Sequence, residues 1–324
     1  MPQSDKDGAM ALTDRAASAA YKSGWLAVRL MPEPAARWVF NRIADFVWRR
    51  RGKSVRQLET NLHRVVPGAT EAELRQLSRA AMRSYLRYWV EAFRLPTMPQ
   101  SRITSNMSVG GEEQTALTYI QAGRGVIFAL PHMGNIDVAA AWIMTRGFGR
   151  VSVIVERLKP ESVYRQFMAY RESLGLEVVP HTGGPSPFGV MAQRLRQGKL
   201  VCIVSDRDLS SGGVEVELFG EKARIGAGPA ALAVRTGAAL MPVTLWFTPD
   251  GWLGRIYPEV PVPADGTQQQ KVAAMSQQLA AAWESGIAEH PQDWHMLQKV
   301  FVADLDATRL PQPEPVVATD GTAA

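Results

Sequence analysis

From Gly111 onward, short apolar runs alternate with longer segments whose apolar residues recur at helical spacing. "GVIFAL", Gly125 to Leu130, reads as a buried strand closed by Pro131. Asn135 is a good N-cap, and Ile136 to Arg146 reads as an Ala-rich helix ending at Gly147. Strands are expected at Val151–Val155, "LEVVP", Leu200–Ser205, "VEVELFG", Ala239–Phe247 and "WLGRIYPEV". Helices are expected at Glu112–Gln121, Tyr164–Leu174, Phe188–Arg196, Ala227–Arg235 and Gln268–Glu289. The first hundred residues read as helices, with "EAELRQLSRAAMRSYLRYWVEAFRL" strongly periodic up to Pro96. Strands alternating with helices predict an α/β fold: a central, largely parallel β-sheet flanked by helices. In such sheets chemistry collects at the C-terminal ends of strands. No internal repeat is visible. The expected division is a helical, basic segment over 1–110, an α/β core over 111–303 and a Pro-rich, disordered tail over 304–324.

Composition narrows the class. The chain has 324 residues, 46% of them apolar, enough for a sizeable core. Its one cysteine, Cys202, lies in "KLVCIVS", a strand pattern, which fits a reducing compartment better than a reactive thiol. The N-terminus lacks a signal-peptide pattern. No run reaches the roughly 18 apolar residues of a spanning helix; the nearest, "ALAVRTGAALMPVTLWF", is interrupted by Arg235 and Pro242. The net charge is +5, with Arg49, Arg50, Arg51, Lys53 and Arg56 close together. Trp25, Trp38, Phe40, Phe46 and Trp48 are interleaved with them or precede them. That mixture suits a helix lying on an anionic membrane surface, or an amphipathic helix with a solvated basic face. No nucleic-acid motif accompanies it, so nucleic acid is not an expected partner.

The candidate chemistry centres on "PHMGNID". His132 and Asp137 are five residues apart, which on one helix would separate them by about 140°. With His132 in the turn and Asp137 in the first helical turn, the carboxylate can accept a hydrogen bond from one ring nitrogen and leave the other as a base. The helix start would favour the Asp charge and offer free N–H groups to a developing anion. The alternative is a satisfied structural histidine beside an ordinary first-turn Asp. Glu156, Asp206 and Arg207 follow strands directly, and Arg171 lies on a helix near the same layer; charged residues also belong at strand ends for purely structural reasons. "RIGAGPAALA" is a weak dinucleotide fingerprint, since no buried strand is expected to feed it and Pro229 is misplaced. There is no P-loop, paired-Cys motif, HExxH or Gly-x-Ser-x-Gly elbow. The five histidines (His63, His132, His181, His290, His295) are scattered, so no metal centre is expected.

Taken together, "PHMGNID", "ERLKPESVYRQFMAYRESLGLEVVP", "VSDRDLSSGGVEVELFG", "GPAALAVRTGAALMPV" and the earlier "RRRGKSVRQLETNLHRVVPG" resemble the bacterial lysophospholipid and lipid A-type acyltransferases, whose mark is an HX4D motif. The resemblance covers roughly Trp25 to Phe301. Asp137 and the "SDRDL" form look most like the actinobacterial branch that acylates phosphatidylinositol mannosides. The resemblance implies an enzyme on the cytoplasmic face of the cell membrane, needing no cofactor. It would move a long acyl chain, palmitoyl by expectation, from acyl-CoA to the 6-hydroxyl of mannose on a mannosylated phosphatidylinositol. His132 would be the base, Asp137 would orient it, and the Gly134 and Asn135 amides would be oxyanion donors. Glu156, Arg171, Asp206, Arg207 and Arg224 would bind substrate or shape the site. An acyl-CoA thioesterase, or transfer to another glycolipid or a lysophospholipid, is the alternative.

Overall fold

The computed structural model describes residues 24–155, 161–180, 186–208 and 212–305. Glu156 and the tail beyond 305 lie outside the described residues. After a helical stretch over 24–30 come helices α1 (Glu33–Arg50), α2 (Lys53–Val65) and α3 (Glu71–Arg94). Thr70 and Glu73 form a reciprocal capping box that opens α3. The buried Asp45 ties α1 to α3, because its carboxylate accepts from both Arg79 and Arg83 in two-pronged fashion. Those guanidinium groups hold the Asp45 carboxyl well below the usual carboxylate range. Helix α4 (Gln100–Asn106) leads into β1 (Met107–Gly111), and α5 (Glu113–Gln121) follows.

The core then alternates as the pattern predicts. It runs β2 (Val126–Leu130), α6 (Ile136–Ile143), β3 (Ser152–Val155), α7 (Glu161–Ser173), β4 (Glu177–Pro180), α8 (Pro187–Arg196) and β5 (Leu200–Val204). A hairpin, β6 (Val214–Leu218) with β7 (Glu221–Ile225), precedes α9 (Gly228–Thr236), β8 (Ala239–Phe247), β9 (Trp252–Ile256) and α10 (Gln268–Glu289). The main sheet has seven strands in the order β1-β9-β8-β2-β5-β3-β4. All neighbouring pairs are parallel except β8 with β9. Strand β2 is fully buried between β8 and β5, and large apolar clusters cover the sheet. Pro242 sits inside β8 and cannot donate to a ladder. The β2–β8 register ends at Pro242, opposite Ala129, whose carbonyl accepts from the buried Trp283 indole instead.

Three local readings change. β1 pairs with β9 in the main sheet, so the expected boundary at 110/111 falls inside a strand. A strand, β7, does precede the "GAG" loop; its core-facing residues are Ala223 and Ile225, and Glu221, Lys222 and Arg224 around them masked it. Helix α6 closes three residues before Arg146, through tight turns from Thr145 to Trp142 and from Arg146 to Ile143.

The turn after His132 depends on Gly134. Its φ is +59°, and a Cβ there would lie 2.7 Å from the Leu245 carbonyl of β8. Gly134→Ala is expected to destabilise the protein by about 3 kcal/mol, combining left-handed strain with overpacking. Chemical unfolding of the variant would check this.

Candidate active site

The β2–β5 register pairs Leu130 with Val204, so residues just past both strand ends are neighbours. His132 and Asp206 occupy those places. Asp206 Oδ1 lies 2.5 Å from His132 Nδ1. Its Oδ2 accepts from the His132 amide (2.9 Å) and the Trp294 indole N–H (2.9 Å). Burial alone would push the Asp206 carboxyl up, but the charge and hydrogen bonds of His132, with Trp294, bring it below its ordinary value. An ionised carboxylate accepts, so Nδ1 carries a proton toward Asp206, and the neutral form of the ring then has its lone pair on Nε2. The His132 side chain is 34% exposed and the Asp206 side chain 2%, so the free nitrogen is on the accessible side.

Asp137 is elsewhere engaged. Its buried carboxylate accepts from Arg171 Nε (2.8 Å), Arg171 Nη2 (3.2 Å) and the Tyr88 hydroxyl (2.9 Å). The expected Asp137–His132 hydrogen bond is therefore replaced by Asp206–His132. The reason is directional: Asp137 points from the first turn of α6 toward α3 and α7, while Asp206 reaches His132 from the next strand. Tyr88 stays a neutral donor, since burial and the Asp137 charge raise its pKa well above the usual value. Asp137, Arg171 and Tyr88 thus clamp α6, α7 and α3 together.

Helix α3 carries a polar stripe on its inner face. Ser84, Tyr88 and Glu91 follow helical spacing. Glu91 accepts from Arg87, from the Asn135 side chain (2.7 Å) and from the Trp252 indole (2.7 Å). Asn135 Oδ1 meanwhile caps α6 by accepting from Val138 N. Ser84 Oγ donates to Asp293 (2.6 Å) and lies 2.8 Å from His295 Nε2. The His295 amide donates to the His132 carbonyl (2.7 Å), so "DWH", Asp293 to His295, backs the turn that carries His132. Burial, then the neighbouring His132, lowers the His295 pKa to about 3, so it is a neutral imidazole. The periodicity of α3 showed a helix but not which face would meet the site, and His295 looked like one of five scattered histidines. A stripe of Ser, Tyr and Glu at i, i+4 and i+7 was the available signal.

Other expected site residues are reassigned. The Gly134 amide donates to the Asp293 carbonyl (3.0 Å), which removes it as an oxyanion donor. The buried Arg224 bonds Asp208 and the Gly213 carbonyl (2.9 Å), fastening β7 to the loop after β5 rather than facing a ligand. Arg171 is likewise engaged with Asp137. Arg207 is half-buried, one residue past Asp206. Gly226 packs on Ser205, just past the end of β5, and its amide donates to the Ser205 carbonyl. The apolar face of α6 splits: Val138 and Trp142 are core, whereas Ile136, Ala139 and Ala140 are partly exposed.

A family model described as bacterial lipid A biosynthesis acyltransferase matches residues 5–302. The chain belongs to this acyltransferase family. It is 46% identical over 291 residues to a phosphatidylinositol mannoside acyltransferase of Mycolicibacterium smegmatis, covering 89% of this chain and 92% of the relative. It is 44% identical over 310 residues to the protein of that name in Mycobacterium tuberculosis, covering 95% of each. The HX4D spacing of this acyltransferase family member therefore holds two separate units: a His132–Asp206 pair and an Asp137–Arg171–Tyr88 clamp.

The two carboxylates are expected to fail differently. In Asp206→Asn the amide would present an N–H to Nδ1 and favour the tautomer with Nε2 protonated, costing about 10²–10⁴-fold in rate with little loss of stability. Asp137→Ala leaves a buried guanidinium unpaired and is expected to cost about 3–5 kcal/mol of stability. Paired rate and melting measurements separate them. His295 adds a pH signature. Between its ordinary value of 6.5 and about 3 the unfolded chain binds a proton that the folded chain does not, so stability falls as pH drops through that window. His295→Gln is expected to flatten the stability-versus-pH slope above the carboxylate range, as denaturant titrations at stepped pH would show.

Proposed function

We propose that the protein transfers a long acyl chain, palmitoyl, from acyl-CoA to the 6-hydroxyl of a mannose on a phosphatidylinositol mannoside. One observation carries the chemistry: His132 is oriented by a buried carboxylate, with its other nitrogen accessible. Among the described residues no hydroxyl or thiol hydrogen-bonds to that ring. Burial pushes the Cys202 thiol up to about 12, so it is not a thiolate near neutral pH. In this reading the substrate supplies the nucleophile. The names of the mycobacterial relatives support the acceptor class.

In this reading His132 Nε2 takes the proton of the sugar hydroxyl as its oxygen attacks the thioester carbonyl. Asp206 holds Nδ1–H and stabilises the imidazolium that forms. The tetrahedral oxyanion collapses, the C–S bond breaks, and the imidazolium returns its proton to the departing CoA thiolate. Sugar oxygen replaces sulfur on the acyl carbon in one displacement, without an acyl-enzyme. The Ile136 and Asp137 amides at the start of α6 have no intrahelical acceptor and are the candidate oxyanion donors, Val138 N being taken by the Asn135 cap. Ile136, Ala139 and Ala140, one face of α6 beside His132, would line the acyl chain. Asp137 acts through Arg171 and Tyr88 as a positioning residue.

The enzyme would work on the cytoplasmic face of the membrane. Among the described residues no helix is long and apolar enough to cross a membrane. The outer face of α1 nevertheless exposes Trp38 (63%), Phe46 (55%), Ile43 and Val47. Arg42 lies over the Trp38 ring and Arg50 over Phe46. Apolar rings flanked by guanidinium groups suit an interface with anionic lipid.

Mass-resolved transfer tests the reaction. Wild-type protein with palmitoyl-CoA and mannosylated phosphatidylinositol should yield acylated glycolipid, and His132→Ala should lose about 10²–10⁴-fold. Free fatty acid alone, unaffected by the acceptor, would instead indicate a thioesterase. Binding to anionic vesicles should weaken as salt rises and in an Arg42→Gln, Arg49→Gln, Arg50→Gln triple variant; salt-independent binding would contradict the interfacial role of α1.

A further inference from the structure

A cavity of about 330 Å³ lies between α1, α3 and the turn joining β8 to β9, lined by Arg37, Phe40, Arg83, Arg87, Phe247 and Asp293 among others. Three guanidinium groups and one carboxylate face it. The arginines are incompletely neutralised. Asp45 is shared between Arg83 and Arg79, so one carboxylate faces two cations. Arg83 uses Nε and Nη2 on Asp45, and its Nη1 makes no hydrogen bond among the described residues. Among the described residues Arg37 bonds only the Pro249 carbonyl at 3.4 Å and pairs with Glu33 at 4.0 Å, and Glu33 is held by Arg102. Arg87 adds its charge from the wall, where it bonds Glu91 and the Thr248 and Gly251 carbonyls.

The position of this cavity is as telling as its charge. Ser84 and Asp293 form its inner wall, and Ser84 bonds His295, whose amide holds the His132 carbonyl. Its outer wall is α1, whose far face carries the exposed Trp38 and Phe46. An anion here would lie between a helix suited to lipid and the catalytic turn. Neutral Asn41, Thr248 and Gln292 complete the lining and can bond hydroxyl groups.

We propose that this cavity binds the phosphodiester and adjoining polyol of the acceptor lipid's headgroup, holding the lipid while its sugar reaches His132. The inference rests on the acceptor reading above. Guanidinium groups recognise phosphate oxygens through charge-assisted hydrogen bonds, and the volume suits a phosphorylated ring.

The test uses the full-length protein with Arg37→Gln and Arg83→Gln. Both variants should fold: Asp45 keeps its two bonds from Arg79, and Arg37 makes only peripheral contacts. Melting curves check this. Glycerophosphoinositol is titrated directly, beside inorganic phosphate and CoA. The wild type should bind glycerophosphoinositol, and each variant should bind it about tenfold more weakly. In turnover, the KM for the lipid should rise while that for acyl-CoA does not. No binding by the wild type, equal binding by folded variants, or a loss confined to CoA would overturn the site. Equal affinity for inorganic phosphate and glycerophosphoinositol would overturn the polyol part. Arginine-dependent binding without acyl transfer to the mannosylated lipid would support the site and overturn the proposed acceptor.

Discussion

The site depends on the ionised, buried carboxylate of Asp206. Taking a lone charge out of water is costly, and this one is tolerated because three donors meet it. The His132 ring, the His132 amide and the Trp294 indole all point at two oxygens. The same bonds that stabilise the charge fix the ring's tautomer, its rotation and the path of the chain after β2. Parallel pairing of β2 with β5 makes this possible, since it brings two strand ends to the same edge in register. Gly134 then turns the chain against β8, and the "DWH" segment closes over the back of the turn.

The second layer comes from the helices that precede the sheet. Helix α3 gives Ser84 to His295 and Asp293, Tyr88 to Asp137, and Glu91 to Asn135 and Trp252. An amphipathic helix normally turns an apolar stripe inward. Here the inward stripe is partly polar, and each polar group finds a partner around the His132 turn or the start of α6. The inner side of α3 supports the turn that carries His132, while α1 presents apolar and basic groups outward. The Asp45 carboxylate shared by Arg79 and Arg83 joins α1 to α3, and the arginine-lined cavity lies between that joint and the His132 turn.

Much of the fold was legible because buried strands and periodic helices are written in local pattern. Ala239–Phe247 and Gln268–Glu289 match their predicted bounds. β1 and β7 were not legible: "MSVGG" and "EKARI" lack the β-branched runs of buried strands, and their pairing is set by tertiary neighbours. The position of His132 just past a strand end was legible from the pattern around it. Its hydrogen-bond partner was not, because closeness in sequence favoured Asp137, whereas Asp206 follows a strand added later in the chain. Asp206 had been placed at the correct sheet edge, but only the strand order makes β2 and β5 adjacent. His295 was hidden for the same reason: its role is a backbone bond and a buried ring, neither of which has a local motif.

The pairing of His132 with Asp206 rather than Asp137 is the central claim, and the ring's tautomer reports it directly. Nitrogen-15 NMR of histidine-labelled protein, at a pH where the ring is neutral, would assign the His132 nitrogens in wild type, Asp206→Asn and Asp137→Asn. The account predicts a proton on Nδ1 and a free Nε2 in the wild type. That state should persist in folded Asp137→Asn and shift to the Nε2-protonated tautomer in Asp206→Asn. An Nε2-protonated ring in the wild type, or a tautomer that follows Asp137 and ignores Asp206, would contradict it.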